Sequence, residues 1–185
     1  MMLLRIVLII STAGLLSAAA QTNVPPRANN EPNATNVPPA VHAEKVRAEC
    51  LEERRCVSGR VLKVFTNGVL VESGYPSLLR DSLHGAWHLP GTVAASRPAN
   101  LIETREPDSI CVGTVFLTDL PKKRGGKNEH IEPYDYVVLH SYPAGNYTYT
   151  SVGNITHTVR RFAGGLETAV KLILEAEKND TLTDH

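Results

Sequence analysis

The stretch 59–71, reading G-R-V-L-K-V-F-T-N-G-V-L-V, constrains the fold of this chain more than any other. It is apolar and β-branched up to Phe65, turns on Asn67-Gly68 and becomes apolar again. Asn-Gly between two such runs is a strong hairpin signal, because both turn positions need positive φ. The apolar phase changes at Val61-Leu62, with Gly59 beside them. That predicts a bent or bulged first strand serving two faces. Small barrels need such bends to close.

Further strands are expected at 110–117 and 136–142, with a turn at Pro143-Ala144-Gly145-Asn146. Residues 147–162 are strand-like for sixteen residues, longer than ordinary strands, and Gly153-Asn154 is expected to bend or split them. Residues 41–55 read as a charged helix with a thin apolar stripe of Val46, Cys50 and Leu51. Leu166, Ala169, Val170, Ile173 and Leu174 recur at helical spacing and predict a terminal amphipathic helix over the barrel. The segment 74–110 is irregular and holds Pro76, Pro90, Pro98 and Pro107. A helical turn near 77–83 and a strand near 101–104 are expected within it, since long structureless loops are unusual in compact domains. The expected fold class is mainly β: a small five-stranded barrel with an N-terminal and a C-terminal helix.

A chain of 185 residues allows one domain plus tails. Residues 1–20 read as a secretory signal: Arg5, an apolar run over 6–16, then Ala18-x-Ala20 ahead of Gln21. The run is short for a bilayer, which takes about 20 residues, although a retained anchor is the alternative. The expected location is secreted or periplasmic, with no stable membrane span after cleavage. Residues 21–40 hold five Asn and five Pro and predict a disordered spacer. Residues 41–178 form the folded unit, and 179–185 a disordered tail. In an oxidising compartment the three cysteines admit a Cys56–Cys111 disulfide, each residue opening an apolar run. A Cys50–Cys56 bridge and no bridge at all are the alternatives.

The spacing of Gly59, Val61, Val64, Gly68 and Val71 resembles the opening of S1-like domains of the oligonucleotide/oligosaccharide-binding (OB) fold. The resemblance covers about thirteen residues and implies an OB-like barrel, with an SH3-like barrel as the alternative. That family carries aromatic residues just before the hairpin glycine and two residues after it. Here those positions hold Asn67 and Leu70.

Charge is balanced over the chain, 19 basic against 19 acidic residues, so no global field points to nucleic acid or membrane. Locally, residues 54–165 carry 13 basic and 9 acidic residues, a surplus of four. Lys122, Lys123, Arg124 and Lys127 share a Gly-rich loop, and Arg160-Arg161 end the last strand. Convergence of these groups would suit an anionic polymer. Tyr147 and Tyr149, two apart, face one side of a strand and could stack bases or sugars. Tyr136 and Tyr142 are expected to flank them. His84 and His88 are four apart, but Gly85 and Pro90 break the helix they would need, and Asp81 is the nearest acid. Cys111 with His140 or His157 is the sole Cys/His pairing, with no activating neighbour visible. No catalytic residue, metal or cofactor is therefore assigned. The expected function is an exported non-enzymatic binding module for an anionic polymer or a protein partner. A structural cell-envelope protein without a ligand, and a hydrolase with its site in 74–110, are the alternatives.

Overall fold

The computed structural model describes residues 38–80, 87–121 and 130–183. The signal, most of the spacer, Asp81, His84 and the basic residues Lys122, Lys123, Arg124 and Lys127 lie outside them. Helix α1 spans Pro39–Glu52, starting two residues inside the expected spacer, with proline in its first turn where a missing N–H costs nothing. Strands β1 (Arg55–Phe65) and β2 (Gly68–Ser73) form the expected hairpin, but its turn falls one residue early: Phe65 pairs with Gly68, so Thr66-Asn67 make the turn, and neither Asn67 nor Gly68 takes the positive φ expected of them. The register slips between Val61 and Lys63, so Leu62 is the bulged residue and the phase change read in the sequence is a real bulge.

After a short 3-10 turn over Pro76–Leu79 come β3 (His88–Leu89), β4 (Gly113–Thr118), β5 (Tyr136–Thr150), β6 (Thr156–Ala163) and α2 (Leu166–Thr183). The sheet runs β1-β2-β4-β6-β5-β3, and β1 also pairs β5, so five strands hydrogen-bond in a ring. All ring pairings are antiparallel except β4 with β6. Val57, Val61, Val69, Val71, Val115, Leu117, Val137 and Phe162 fill the ring. A second cluster packs Val46 and Cys50 of α1 and Ala169 and Val170 of α2 against Ala144 and Ala163. An Arg47–Glu167 ion pair and a His42–Glu177 hydrogen bond join the two helices.

Four further expectations need correction. The turn at 143–146 is a bulge inside one long strand: Pro143 faces Phe162, Asn146 faces Arg160, and Gly145 takes φ 82°. Proline survives there because a bulge leaves ladder groups unpaired. Residues 101–104 form no strand, since Glu103 anchors that segment through its side chain (described below). The tail expected to fray from Asn179 continues α2 as far as Thr183. The Cys56–Cys111 disulfide is not formed; all three cysteines are buried free thiols. Cys56 pairs with Ile110, so Cys111, one position on, points to the opposite face. Burial pushes the Cys56 thiol up to about 11 and the Cys111 thiol up to about 12. No helix among the described residues is long and apolar enough to cross a membrane.

Candidate functional site

The site begins with side-chain alternation on β4. Val115 and Leu117 enter the ring, so Phe116 between them points outward. An outward Phe should be wet, yet Phe116 is only 1% exposed. Its cover is aromatic. Tyr147 of β5 stacks on it at 3.6 Å between centroids, and Phe65 meets it edge-on at 5.7 Å. Phe65 also meets Tyr147 at 5.9 Å and Tyr149 at 6.2 Å. Tyr149 in turn stacks with exposed His157 at 5.3 Å. Lys63 places its ammonium 5.0 Å from the centre of the Phe65 ring. Gly68 is required here: a Cβ would lie 2.4 Å from the Leu117 carbonyl oxygen and 2.7 Å from the Phe116 ring.

This outer face has a buried floor, Phe116, and half-buried walls, Phe65, Tyr147 and Tyr149. At Phe65 it meets an open cleft of about 440 Å³, also lined by Val64, Asn67, Leu120, His130 and Ile131. The basic segment of the sequence leaves the described chain after Pro121 and rejoins it at His130, beside that cleft. Tyr147 and Tyr149 thus share a face, as expected. Tyr136 and Tyr142 are elsewhere: Tyr136 packs on Tyr75 at 5.8 Å, and Tyr142 packs against the helices. Phe65 and Phe116 were missed. Phe65 stood in the hairpin motif as a β-former, and Phe116 read as core, because its outward direction follows only once the pairing register is known.

Arg160 and Arg161 hold structure together. Arg160 donates two parallel bonds to Glu103, at 2.7 and 2.8 Å, a third to the Val112 carbonyl, and lies 3.2 Å from the Cys111 sulfur. Arg161 donates from Nε to the Ala144 carbonyl inside the β5 bulge, and burial lowers its pKa. The Arg160–Glu103 fork fastens the 100–112 segment to the end of the ring. Burial alone would raise the Glu103 carboxyl, but Arg160, the Val112 N–H and Arg55 outweigh it and hold it below the ordinary range.

Asp135 behaves similarly. Desolvation opposes its charge, but the Glu132 N–H, His88 at 2.8 Å and the Gly91 N–H together lower its pKa. Asp135 and His88 latch β3 to the start of β5. The Cys/His pairing does not converge: Cys111 meets Arg160, His140 meets Asp108, and His157 meets Ser151. Among the described residues no group of three His, Cys, Asp or Glu could hold a metal ion.

The depressed carboxylates fix the sign of the acid response. A group whose folded pKa is lowered adds stability above its unfolded pKa, and loses it as pH falls through the folded value. With unfolded carboxylates near about 4, the thermal midpoint should stay level from neutral pH and drop below about pH 4. Glu103→Gln and Asp135→Asn should each flatten that drop and lower the neutral-pH midpoint. A wild-type midpoint unchanged down to about pH 3 would rule this out.

No family model, no curated protein and no solved structure matches this chain.

Proposed function

We propose that the five-strand ring is an OB-like barrel, and that this chain is an exported, non-enzymatic module binding an anionic polymer across the Phe65–Phe116–Tyr147–Tyr149 face. Three features support the barrel: closure of β1 on β5, the parallel β4–β6 pair and the bulge in β1. In such barrels the ligand face lies on the second and third strands, between the loop joining the first two strands and the loop joining the last two. Here that is the outer surface of β2 and β4, between the turn at Thr66-Asn67 and the turn at 151–155. Asn67 and Leu70, which stand where S1-like domains carry aromatics, are replaced functionally by Phe65 and the β5 tyrosines. The carrying observation is the aromatic platform opening at Phe65 onto the cleft where the basic segment starts and ends.

Stacking on aromatic rings contributes about 1–3 kcal/mol per base and tolerates any sequence. Phosphate, sulfate or carboxylate contacts to lysine and arginine make affinity fall with salt. The test uses the full secreted chain and two labelled probes, oligo-deoxythymidine and heparin, titrated by fluorescence anisotropy across salt concentrations. Tyr149→Ala should weaken binding by about fivefold to a hundredfold with little change in salt slope. The triple change Lys122→Ala, Lys123→Ala, Arg124→Ala should reduce the salt slope itself. Absence of binding to both probes at low salt would overturn the reading, as would affinity indifferent to both sets of changes.

A further inference from the structure

Past Asn146 the β5–β6 hairpin leaves the ring. β5 pairs β1 only as far as Ser141, and β6 pairs β4 only from Arg160 onward. At Pro143 the edge of β5 is still covered, because the carbonyl there accepts a bond from the Cys50 thiol of α1. Residues 147–150 and 156–159 pair with each other, and Ser151 bonds Ile155 to close the tip. Among the described residues no third strand lies on either side of this two-stranded ribbon.

Free strand edges are templates for pairing, and proteins blunt them with charge, proline, a bulge or a cover. Here the bulge lies upstream at 143–146, and residues 146–159 contain no Asp, Glu, Lys or Arg. The uncharged run extends back to Tyr136, so all of β5 and the hairpin tip are without formal charge. The residues present, alternating Thr and Tyr with Val and Ile, favour strands. Val152 at the tip is 97% exposed.

We propose that the outer edge of β5 is an interface between two copies of this chain, joined by antiparallel pairing of residues 147–150 about a two-fold axis. The occupant follows from charge and symmetry. An isologous contact sets each side chain against its own copy, which penalises any charged edge and leaves this one unpenalised. The whole chain has a formal net charge of zero, so no long-range repulsion keeps two copies apart. A two-fold at exposed Thr148 sets threonine against threonine and brings each Tyr147 beside the other copy's Tyr149. The edge of β6 is the poorer candidate: it runs directly into Arg160, which is tied to Glu103 and Val112 of the flanking loop.

The test is sedimentation equilibrium of the full secreted chain without ligand, from low micromolar to near-millimolar concentration. A monomer–dimer equilibrium is expected, with Thr148→Lys weakening it at least about tenfold by setting lysine against lysine. Hydrogen exchange of the wild-type chain supplies a reading independent of that variant's folding: amides of 147–150 should gain protection as concentration rises. A monomer at every concentration overturns the proposal. So does a dimer whose 147–150 amides gain no protection, a dimer indifferent to a folded Thr148→Lys, or open-ended growth in place of a dimer.

Discussion

Replacing Gly59 by alanine is expected to cost about 4 kcal/mol or more, at or beyond the upper end for overpacking. The new Cβ would sit 2.1 Å from the Glu72 carbonyl oxygen and 2.7 Å from the Ser73 Cα. Both are backbone atoms of β2, so no side chain can swing aside. Moving β2 away is also blocked, because Gly59 faces Ser73 on one side and Val137 of β5 on the other. Gly59 and Arg60 are the positions of β1 paired to both neighbours at once. Domains of this size are held by only about 5–15 kcal/mol, so much of the margin is lost. Gly113→Ala is the control. Gly113 takes φ 107° but has nothing within 4 Å of a would-be Cβ, so backbone strain alone, about 1–3 kcal/mol, should appear. Urea midpoints for the two variants separate crowding from strain. Equal losses would mean that the tight crossing at Gly59 does not limit stability.

Phe116→Ala should be the most damaging side-chain truncation on the outer face, costing about 3–5 kcal/mol. Phe116 is almost fully buried although it lies outside the ring, under Tyr147 and Phe65 and against Gly68. Removing it leaves a void and strips Tyr147 of its stacking partner. Anisotropy with the same two probes should then show a larger loss of affinity than Tyr149→Ala, at a temperature where the variant is still folded. A stability loss under about 1 kcal/mol would mean that the rings do not pack as a unit.

The hairpin, the bulge in β1, the long strands and the two helices were legible because each rests on local signals: Asn-Gly, a phase change, alternation, 3.6-residue spacing. The misreadings share one cause. Gly59 was read with the phase change beside it, whereas its lack of a side chain is needed because the β2 backbone at Glu72-Ser73 lies against it. Pro143 and Gly145 look like a turn in any window, and only their pairing with β6 makes them a bulge. Glu103 sits in a stretch that reads as a strand, and its partner Arg160 lies 57 residues away. Arg160 and Arg161 counted as free positive charge until pairing placed a carboxylate and a carbonyl against them. The tyrosine pair was visible because two residues on one strand share a face without reference to any neighbour.

The parallel β4–β6 contact has a consequence for how the chain is made. The last strand to be synthesised is not at a margin; it is the stave between β4 and β5. A nascent chain that has delivered only the residues up to Thr150 therefore lacks the strand that joins β4 to β5. Val115 and Leu117 stand on one side of that missing strand and Pro143 on the other, awaiting Phe162. Closure of the ring must therefore wait for the C-terminal end of the chain.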